Sequence, residues 1–143
     1  VIVSEIHKTQ QSVNIEIEQY NNSHHPTDAA ICTLLAQEIS QFFSDAESKV
    51  WHGHPVWFLD GNPVTGYSKM KNRVQLLFWS GQSFDEPALK NLGSFKAAQV
   101  SYVDVSEVNV VDLHRWFQKA REIQWDYKNL VRNKGELTPL TGI

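Results

Sequence analysis

The sequence predicts an α+β fold, in which an antiparallel sheet of about five strands, connected as a meander, is backed by an N-terminal helix and a long C-terminal helix. Two observations support this prediction. Apolar residues recur at helical spacing in one segment before residue 50 and in another after residue 109. Between these segments lie short apolar runs separated by polar or glycine-containing turns, which is typical of neighbouring antiparallel strands.

The first 25 residues allow two interpretations. Val13, Ile15 and Ile17 alternate with polar residues as they would in a strand, yet the run is also short enough to form a helical turn. We expect this N-terminal segment to be less ordered than the core of the domain. That core is placed at residues 27–134 of a single domain spanning residues 1–143.

A helix is predicted next, from Thr27 to about Ser48. Pro26 ends a polar stretch, Thr27 is suited to cap a helix, and Asp28 lies where the helix dipole favours an acidic residue. The apolar stripe of this helix consists of Ile31, Leu34, Leu35, Ile39, Phe42, Phe43 and Ala46. In the same apolar pattern Cys32, the single cysteine, is predicted to be a small buried hydrophobic residue.

A hairpin is predicted in the middle of the chain. Residues 56–59 and 64–68 are apolar runs of strand length that flank residues 60–63, Asp-Gly-Asn-Pro. Glycine can adopt a positive φ there, and proline presets a turn dihedral. The two runs are therefore predicted to pair as antiparallel neighbours.

Two further strands are predicted after the hairpin. Residues 69–73 form a second polar turn, which leads into a nearly continuous apolar run at residues 74–80. Residues 81–95 contain two glycines and a proline and are predicted to be a long connection. A strand is predicted again at residues 96–105.

The C-terminal helix is predicted from a cap at Asn109 to about Gly135, with Asp112 in its first turn. Its apolar stripe consists of Leu113, Trp116, Phe117, Ala120, Ile123, Tyr127, Leu130 and Val131. Arg132 and Lys134 near its end complement the helix dipole. The tail beyond Gly135 is expected to fray.

Composition and charge limit the classes of partner. Of the 143 residues, 41% are hydrophobic and 20% are charged, as in ordinary globular proteins. A net charge of −3 provides no general attraction to nucleic acids or anionic membranes, so neither partner is predicted. No apolar run is long enough to span a membrane, the N-terminal segment lacks the apolar core of a signal peptide, and one cysteine suits a reducing compartment. We therefore predict a cytoplasmic protein.

Two histidines form the first candidate binding site. His52 and His54 are two residues apart, so on an extended chain they would point to the same side and could share an iron or zinc ion. Such a site needs further ligands, and the sequence does not identify them. In the alternative interpretation, one histidine bonds within the sheet edge and the other faces water. No metal-binding or catalytic residue is assigned, because no catalytic motif is present in the sequence.

The aromatic residues of the strands form the second candidate site. In residues 56–59 and 74–79 the side chains that would point to either face of the sheet are apolar, whereas a sheet with one wet face would alternate apolar and polar residues. Something is therefore expected to cover the second face. The chain itself, a second subunit in a homodimer, or a small ligand bound at Trp57, Tyr67 and Trp79 are the alternatives.

Three segments resemble the YdhG-like family of small bacterial proteins: residues 49–67 (KVWHGHPVWFLDGNPVTGY), residues 74–81 (VQLLFWSG) and residues 93–121 (GSFKAAQVSYVDVSEVNVVDLHRWFQKAR). The resemblance covers residues 29–134 and implies an α+β domain with a curved antiparallel sheet backed by helices. It also implies that the motif residues determine the fold and not a reaction. These residues are Gly53, Pro55, Phe58, Gly61, Phe78 and Gly81.

Most of this family has no established biochemical function, although it includes a bacterial frataxin-like iron chaperone. Together with the candidate residues, the resemblance predicts a non-enzymatic module that binds a small ligand or acts as a chaperone. The alternatives are a frataxin-like protein that binds and delivers iron, and a small enzyme whose polar groups converge only in three dimensions.

Overall fold

The computed structural model describes residues 13–141, which form three α-helices and an open, six-stranded antiparallel sheet. The helices are α1 (Ile15–Asn22), α2 (Pro26–Phe42) and α3 (Val110–Glu122). The strands are β1 (Glu47–Trp51), β2 (His54–Leu59), β3 (Asn62–Lys69), β4 (Val74–Phe78), β5 (Lys90–Asn91) and β6 (Ala98–Tyr102). The predicted α+β fold class is confirmed. None of the helices in this part of the chain has the length and apolar character that crossing a membrane requires.

The strand order in the sheet is β1-β2-β3-β4-β6-β5. The strands β2, β3 and β4 form the predicted meander, β1 adds a strand beside β2, and the strand predicted at residues 96–105 pairs directly with β4. The long connection after β4 contains the additional strand β5, which pairs with the outer side of β6. The sheet therefore has six strands where about five were predicted.

Two tight turns shape the first half of the sheet. The predicted hairpin forms between β2 and β3, with Asp60 (φ 51°) and Gly61 (φ 80°) as its central residues. His52 and Gly53 adopt the same conformation between β1 and β2, with φ values of 51° and 82°. Two successive positive φ angles are typical of the two-residue turns that match the twist of a hairpin. Pro63, predicted to lie in the turn, instead lies in β3, opposite Phe58.

The N-terminal helices differ from the sequence prediction at their boundaries. Of the two interpretations of the N-terminal segment, the helical one is correct for α1, while residues 1–12 lie outside the described residues. His25, and not Thr27, caps α2 through its Nδ1 atom. The predicted end near Ser48 is wrong, because the chain leaves the helix after Phe42 and enters β1 at Glu47. Pairing with β2 stabilises these residues as a strand.

The C-terminal helix begins as predicted but ends about three turns early. The Asn109 side chain accepts a hydrogen bond from the Asp112 amide, which confirms the predicted cap. The helix stops at Glu122, and Ile123 has an extended conformation with φ −117° and ψ 107°. The predicted end near Gly135 is therefore wrong, and residues 124–140 follow a different path, described below.

The hydrophobic core lies between the helices and one face of the sheet. The sheet contributes Trp57, Tyr67, Val74, Leu76, Phe78 and Ala98, and the helices contribute Ile17, Ile31, Leu35, Ile39, Leu113, Trp116 and Phe117. Cys32 is fully buried in this core, as predicted, and burial raises the pKa of its thiol to about 12. At neutral pH Cys32 is therefore an apolar thiol and not a thiolate.

One carboxylate attaches the long connection after β4 to α3. Glu86 accepts two hydrogen bonds from Arg115, at 2.8 and 3.0 Å, one from Lys119 at 2.6 Å and one from the Trp116 indole at 2.8 Å. Its side chain is only 7% exposed. Hydrogen bonding by Arg115, and then by Lys119 and Trp116, lowers the pKa of Glu86 from 4.5 to about 2.

We expect Glu86→Gln to lower the free energy of unfolding by about 2 kcal/mol at pH 7, because two cations lose a charged partner. Since folding lowers the pKa of Glu86, its contribution is complete above the unfolded pKa and is lost as the pH falls from about 5 towards 2. Urea unfolding of both proteins at pH 7 and pH 3 measures this effect. The difference between wild type and Glu86→Gln should be smaller at pH 3.

Glu122→Gln is the matched control, because it removes an exposed carboxylate from the end of α3. It should change stability by less than about 0.5 kcal/mol at either pH. A Glu86→Gln variant as stable as wild type at pH 7 would contradict the assigned role of this carboxylate.

Candidate ligand-binding site

The face of the sheet that points away from the helices, here called the outer face, is rich in aromatic residues. It carries Trp51, Val56, Phe58, Gly66 and Leu77, which alternate along the strands with the core residues, and Trp79, which follows the core residue Phe78 directly after β4. The Trp51 ring lies 5.3 Å from Phe58 and 6.3 Å from Trp79, measured between ring centroids. The sequence prediction that both faces are apolar is therefore correct in this region.

Residues 124–140, here called the C-terminal segment, partly cover the outer face. Tyr127, Leu130 and Val131 of this segment and Trp51, Phe58 and Trp79 of the sheet line a cavity of about 350 Å³. We call it the main cavity, because it is the larger of the two cavities on this face of the sheet. Gly61, Pro63 and Lys128 complete its lining. Of the three alternatives for covering the second face, the chain itself thus covers this face at the end of the sheet near the β2–β3 turn.

A second, smaller cavity of about 110 Å³ also lies on the outer face. Its lining includes Trp51, Trp79, Leu77, His52 and His54. We call it the small cavity. Trp51 and Trp79 line both cavities.

Gly66 lies at the centre of β3 and also lines the small cavity. A Cβ atom on this residue would collide with the carbonyl oxygen of Pro55 on the neighbouring strand. Glycine is therefore required for the close approach of β2 and β3.

A single amide attaches the C-terminal segment to the sheet. Asn62, which is 2% exposed, donates hydrogen bonds to the Gln124 side chain and to the Trp125 carbonyl, both at 3.0 Å. Its own carbonyl oxygen accepts a hydrogen bond from the Lys128 amide at 2.9 Å. Each hydrogen bond of this buried amide thus reaches a residue of the segment.

Further contacts hold the segment in place. The Trp125 amide donates to Ser80 Oγ at 2.9 Å, and the Tyr127 hydroxyl accepts from the Lys96 amide at 3.0 Å. Burial raises the pKa of the Tyr127 phenol, so it remains neutral at physiological pH. The C-terminal tail was expected to fray but is hydrogen-bonded to the start of the segment. The backbone amide of Asp126 donates to the carbonyl oxygen of Thr138, and the backbone amide of Leu140 donates to the carbonyl oxygen of Gln124.

The predicted ligand-binding residues lie in different places. Trp79, His52 and His54 line the small cavity, and Trp79 also lines the main cavity. Trp57 is buried in the helix-side core. Tyr67 borders the small cavity but is 1% exposed, and its hydroxyl donates to Asn21 at 2.5 Å.

Several residues of the main cavity were not predicted as binding residues. Tyr127, Leu130 and Val131 were placed in the stripe of a continuous helix, and Phe58 was included only as a fold determinant. Their apolar character was the only signal in the sequence. Which part of the sheet Tyr127, Leu130 and Val131 cover depends on where the chain turns after α3.

The metal hypothesis for the two histidines loses its geometric premise. His52 lies in a tight turn with φ 51° and not on an extended chain, so the expected same-side arrangement does not apply. Among residues 13–141 no group of three or more His, Cys, Asp or Glu side chains is arranged to hold a metal ion. Binding of iron or zinc and formation of a homodimer stay predictions.

Comparison with known proteins yields no family model, no curated protein and no solved structure that matches this chain.

We expect Asn62→Ala to release the C-terminal segment. Removing the amide takes the Asn62 hydrogen bond away from the Trp125 carbonyl, the Gln124 Oε1 atom and the Lys128 amide, which should lower the free energy of unfolding by about 2 kcal/mol. Trypsin should then cleave after Lys128, Arg132 and Lys134 at least several times faster than in wild type, because cleavage requires local opening. Mass spectrometry of the fragments identifies the sites.

Asn72→Ala is the control for this experiment, because Asn72 is exposed in the turn between β3 and β4. Its cleavage pattern should match wild type. Unchanged cleavage of the C-terminal segment in Asn62→Ala would show that other contacts hold it.

Proposed function

We propose that this protein is a non-enzymatic binding module that takes up a small apolar ligand in the main cavity. The observation that carries the proposal is the construction of this cavity from two separate parts of the chain. Aromatic side chains of the sheet form one wall, and Tyr127, Leu130 and Val131 form the other. Its volume of about 350 Å³ lies within the range of small-molecule sites in proteins.

The chemistry of the lining favours binding over catalysis. Among residues 13–141 the nine lining residues include no Asp, Glu, His, Ser or Cys, and Tyr127 and Lys128 are the only titratable residues in the lining. The Tyr127 hydroxyl oxygen accepts a hydrogen bond from the Lys96 amide, and burial raises the pKa of the phenol, which makes it a weaker acid. The remaining surface offers dispersion contacts and ring faces, which suit a flat or aromatic apolar body.

The two indoles give the site a shape preference. The centroids of Trp51 and Trp79 lie 6.3 Å apart, and their planes are inclined by 42°. A flat ring entering the main cavity would contact both indoles at an angle, and Phe58 would present its own ring from the side. Aromatic groups in such offset or edge-on arrangements attract each other beyond the effect of buried area.

Titration with 2-naphthylmethanol, a neutral bicyclic probe, tests the proposal by isothermal titration calorimetry. Wild-type protein should bind it saturably, and Trp79→Ala should weaken binding by about tenfold or more, because it removes one aromatic wall. Backbone amide shifts in NMR spectra should change near the main cavity and not at the helix-side core.

Trp125→Ala is the matched control. Trp125 belongs to the same segment, but its indole donates to Ser83 and lies under the Lys96 ammonium group, and it does not line the main cavity. Binding should persist in this variant. Absence of saturable binding to wild type, or equal affinity of wild type and Trp79→Ala, would overturn the proposal.

A further inference from the structure

We infer that the ligand of the main cavity is an amphipathic organic anion, with an apolar body and a carboxylate, and that Lys128 is its counter-charge. This inference rests on the proposed function and adds the chemical class of the ligand. It is drawn from the charges around the cavity, because the apolar lining alone does not define the charge of the ligand.

In the part of the chain that the structure describes, Lys128 is the only charged residue that lines the main cavity. Its amide donates to Asn62 at 2.9 Å, and its ammonium group donates to the carbonyl oxygen of Asp60 at 2.7 Å. Between these two points the side chain crosses the β2–β3 turn, where a Cβ atom on Gly61 would lie 3.0 Å from its Cδ atom. The ammonium group is therefore held in position before any ligand binds, which lowers the entropic cost of pairing.

The ammonium group of Lys128 keeps donor capacity for a ligand. It has three N–H bonds, of which the Asp60 carbonyl uses one. Among residues 13–141 no carboxylate lies within 4.0 Å of this group, whereas Lys69 and Lys119 on the other side of the sheet each pair with an acidic side chain. A carboxylate at the mouth of the cavity would therefore meet an unpaired cation.

A second cation has the same effect. The ammonium group of Lys49 lies 5.1 Å from the centre of the Phe58 ring, which lines the main cavity. Among residues 13–141 no acidic residue lines the cavity. Glu47, opposite Phe58 in the sheet, and Asp60, in the β2–β3 turn, lie outside its lining. Lys49 and Lys128 therefore place two positive charges beside the cavity.

An organic cation is the competing class of ligand, because Trp51, Phe58, Trp79 and Tyr127 all present rings to the cavity. Aromatic cages bind quaternary ammonium groups through the ring faces. Here, however, Lys49 and Lys128 would repel such a ligand, and no carboxylate of the described residues lines the cavity to attract it. The charges thus favour the anion.

Three probes of nearly equal size separate these classes: 2-naphthoate, 2-naphthylmethanol and 2-naphthylmethylammonium. Calorimetric titration of wild-type protein should show the carboxylate binding about tenfold more tightly than the alcohol, and the ammonium compound binding most weakly. Lys128→Gln should bring the carboxylate and the alcohol to within about twofold of each other. Lys128→Arg should keep the preference.

Lys71→Gln is the matched control, because Lys71 is an exposed lysine in the turn between β3 and β4. It changes the net charge by the same amount and should leave the preference intact. The Lys128→Arg variant, which retains the charge, guards against a loss of binding that reflects misfolding.

Equal affinity of wild type for the carboxylate and the alcohol would overturn this inference and leave the proposed function standing. Tightest binding of the ammonium compound would assign the opposite charge to the ligand. Absence of saturable binding by all three probes would overturn the proposed function itself. A preference for the carboxylate that survives in Lys128→Gln would contradict the role of this lysine.

Discussion

The buried amide of Asn62 is the interaction on which the arrangement of the outer face depends. It lies at the first position of β3, directly after the tight β2–β3 turn, and all three of its hydrogen bonds reach residues 124–128. A buried amide that lost these partners would carry a desolvation cost of one to a few kcal/mol, so sheet and segment stabilise each other. The turn needs positive φ at Asp60 and Gly61, which directs Asn62 towards the segment.

The position of Asn62 also explains why α3 ends where it does. Residues 123–126 contain no glycine or proline, so no local signal interrupts the helix. A continuous helix would carry Tyr127, Leu130 and Val131 past the sheet and leave its apolar outer face exposed. Instead the chain becomes extended at Ile123, satisfies Asn62, and then returns to tight turns that end at Gly135. Tertiary hydrogen bonds and burial thus override the helical propensity of this stretch.

The sequence predicted those features that follow from local patterns. The hairpin, the polar turn after β3, the cap at Asn109 and the apolar character of both sheet faces were all predictable, because each depends on residues close in the chain. The helical spacing of Tyr127, Leu130 and Val131 also corresponds to real turns. What could not be predicted was the break at Ile123, since it depends on Asn62, sixty-one positions earlier in the sequence. The main cavity depends on that break and was therefore missed, although Trp79 was predicted as a binding residue.

The main cavity exists because the C-terminal segment is anchored at its start and not along its whole length. Hydrogen bonds to the sheet concentrate at residues 124–128, whereas Leu130 lines the cavity with an apolar side chain and Val131, at its rim, remains 92% exposed. An apolar contact is non-directional, so this part of the wall can shift without breaking a hydrogen bond. A ligand lodged against Trp51 and Trp79 would bury apolar surface of both walls at once. Its binding energy would then add to the stability of the segment, because a ligand that binds only when the segment covers the sheet stabilises that arrangement by mass action.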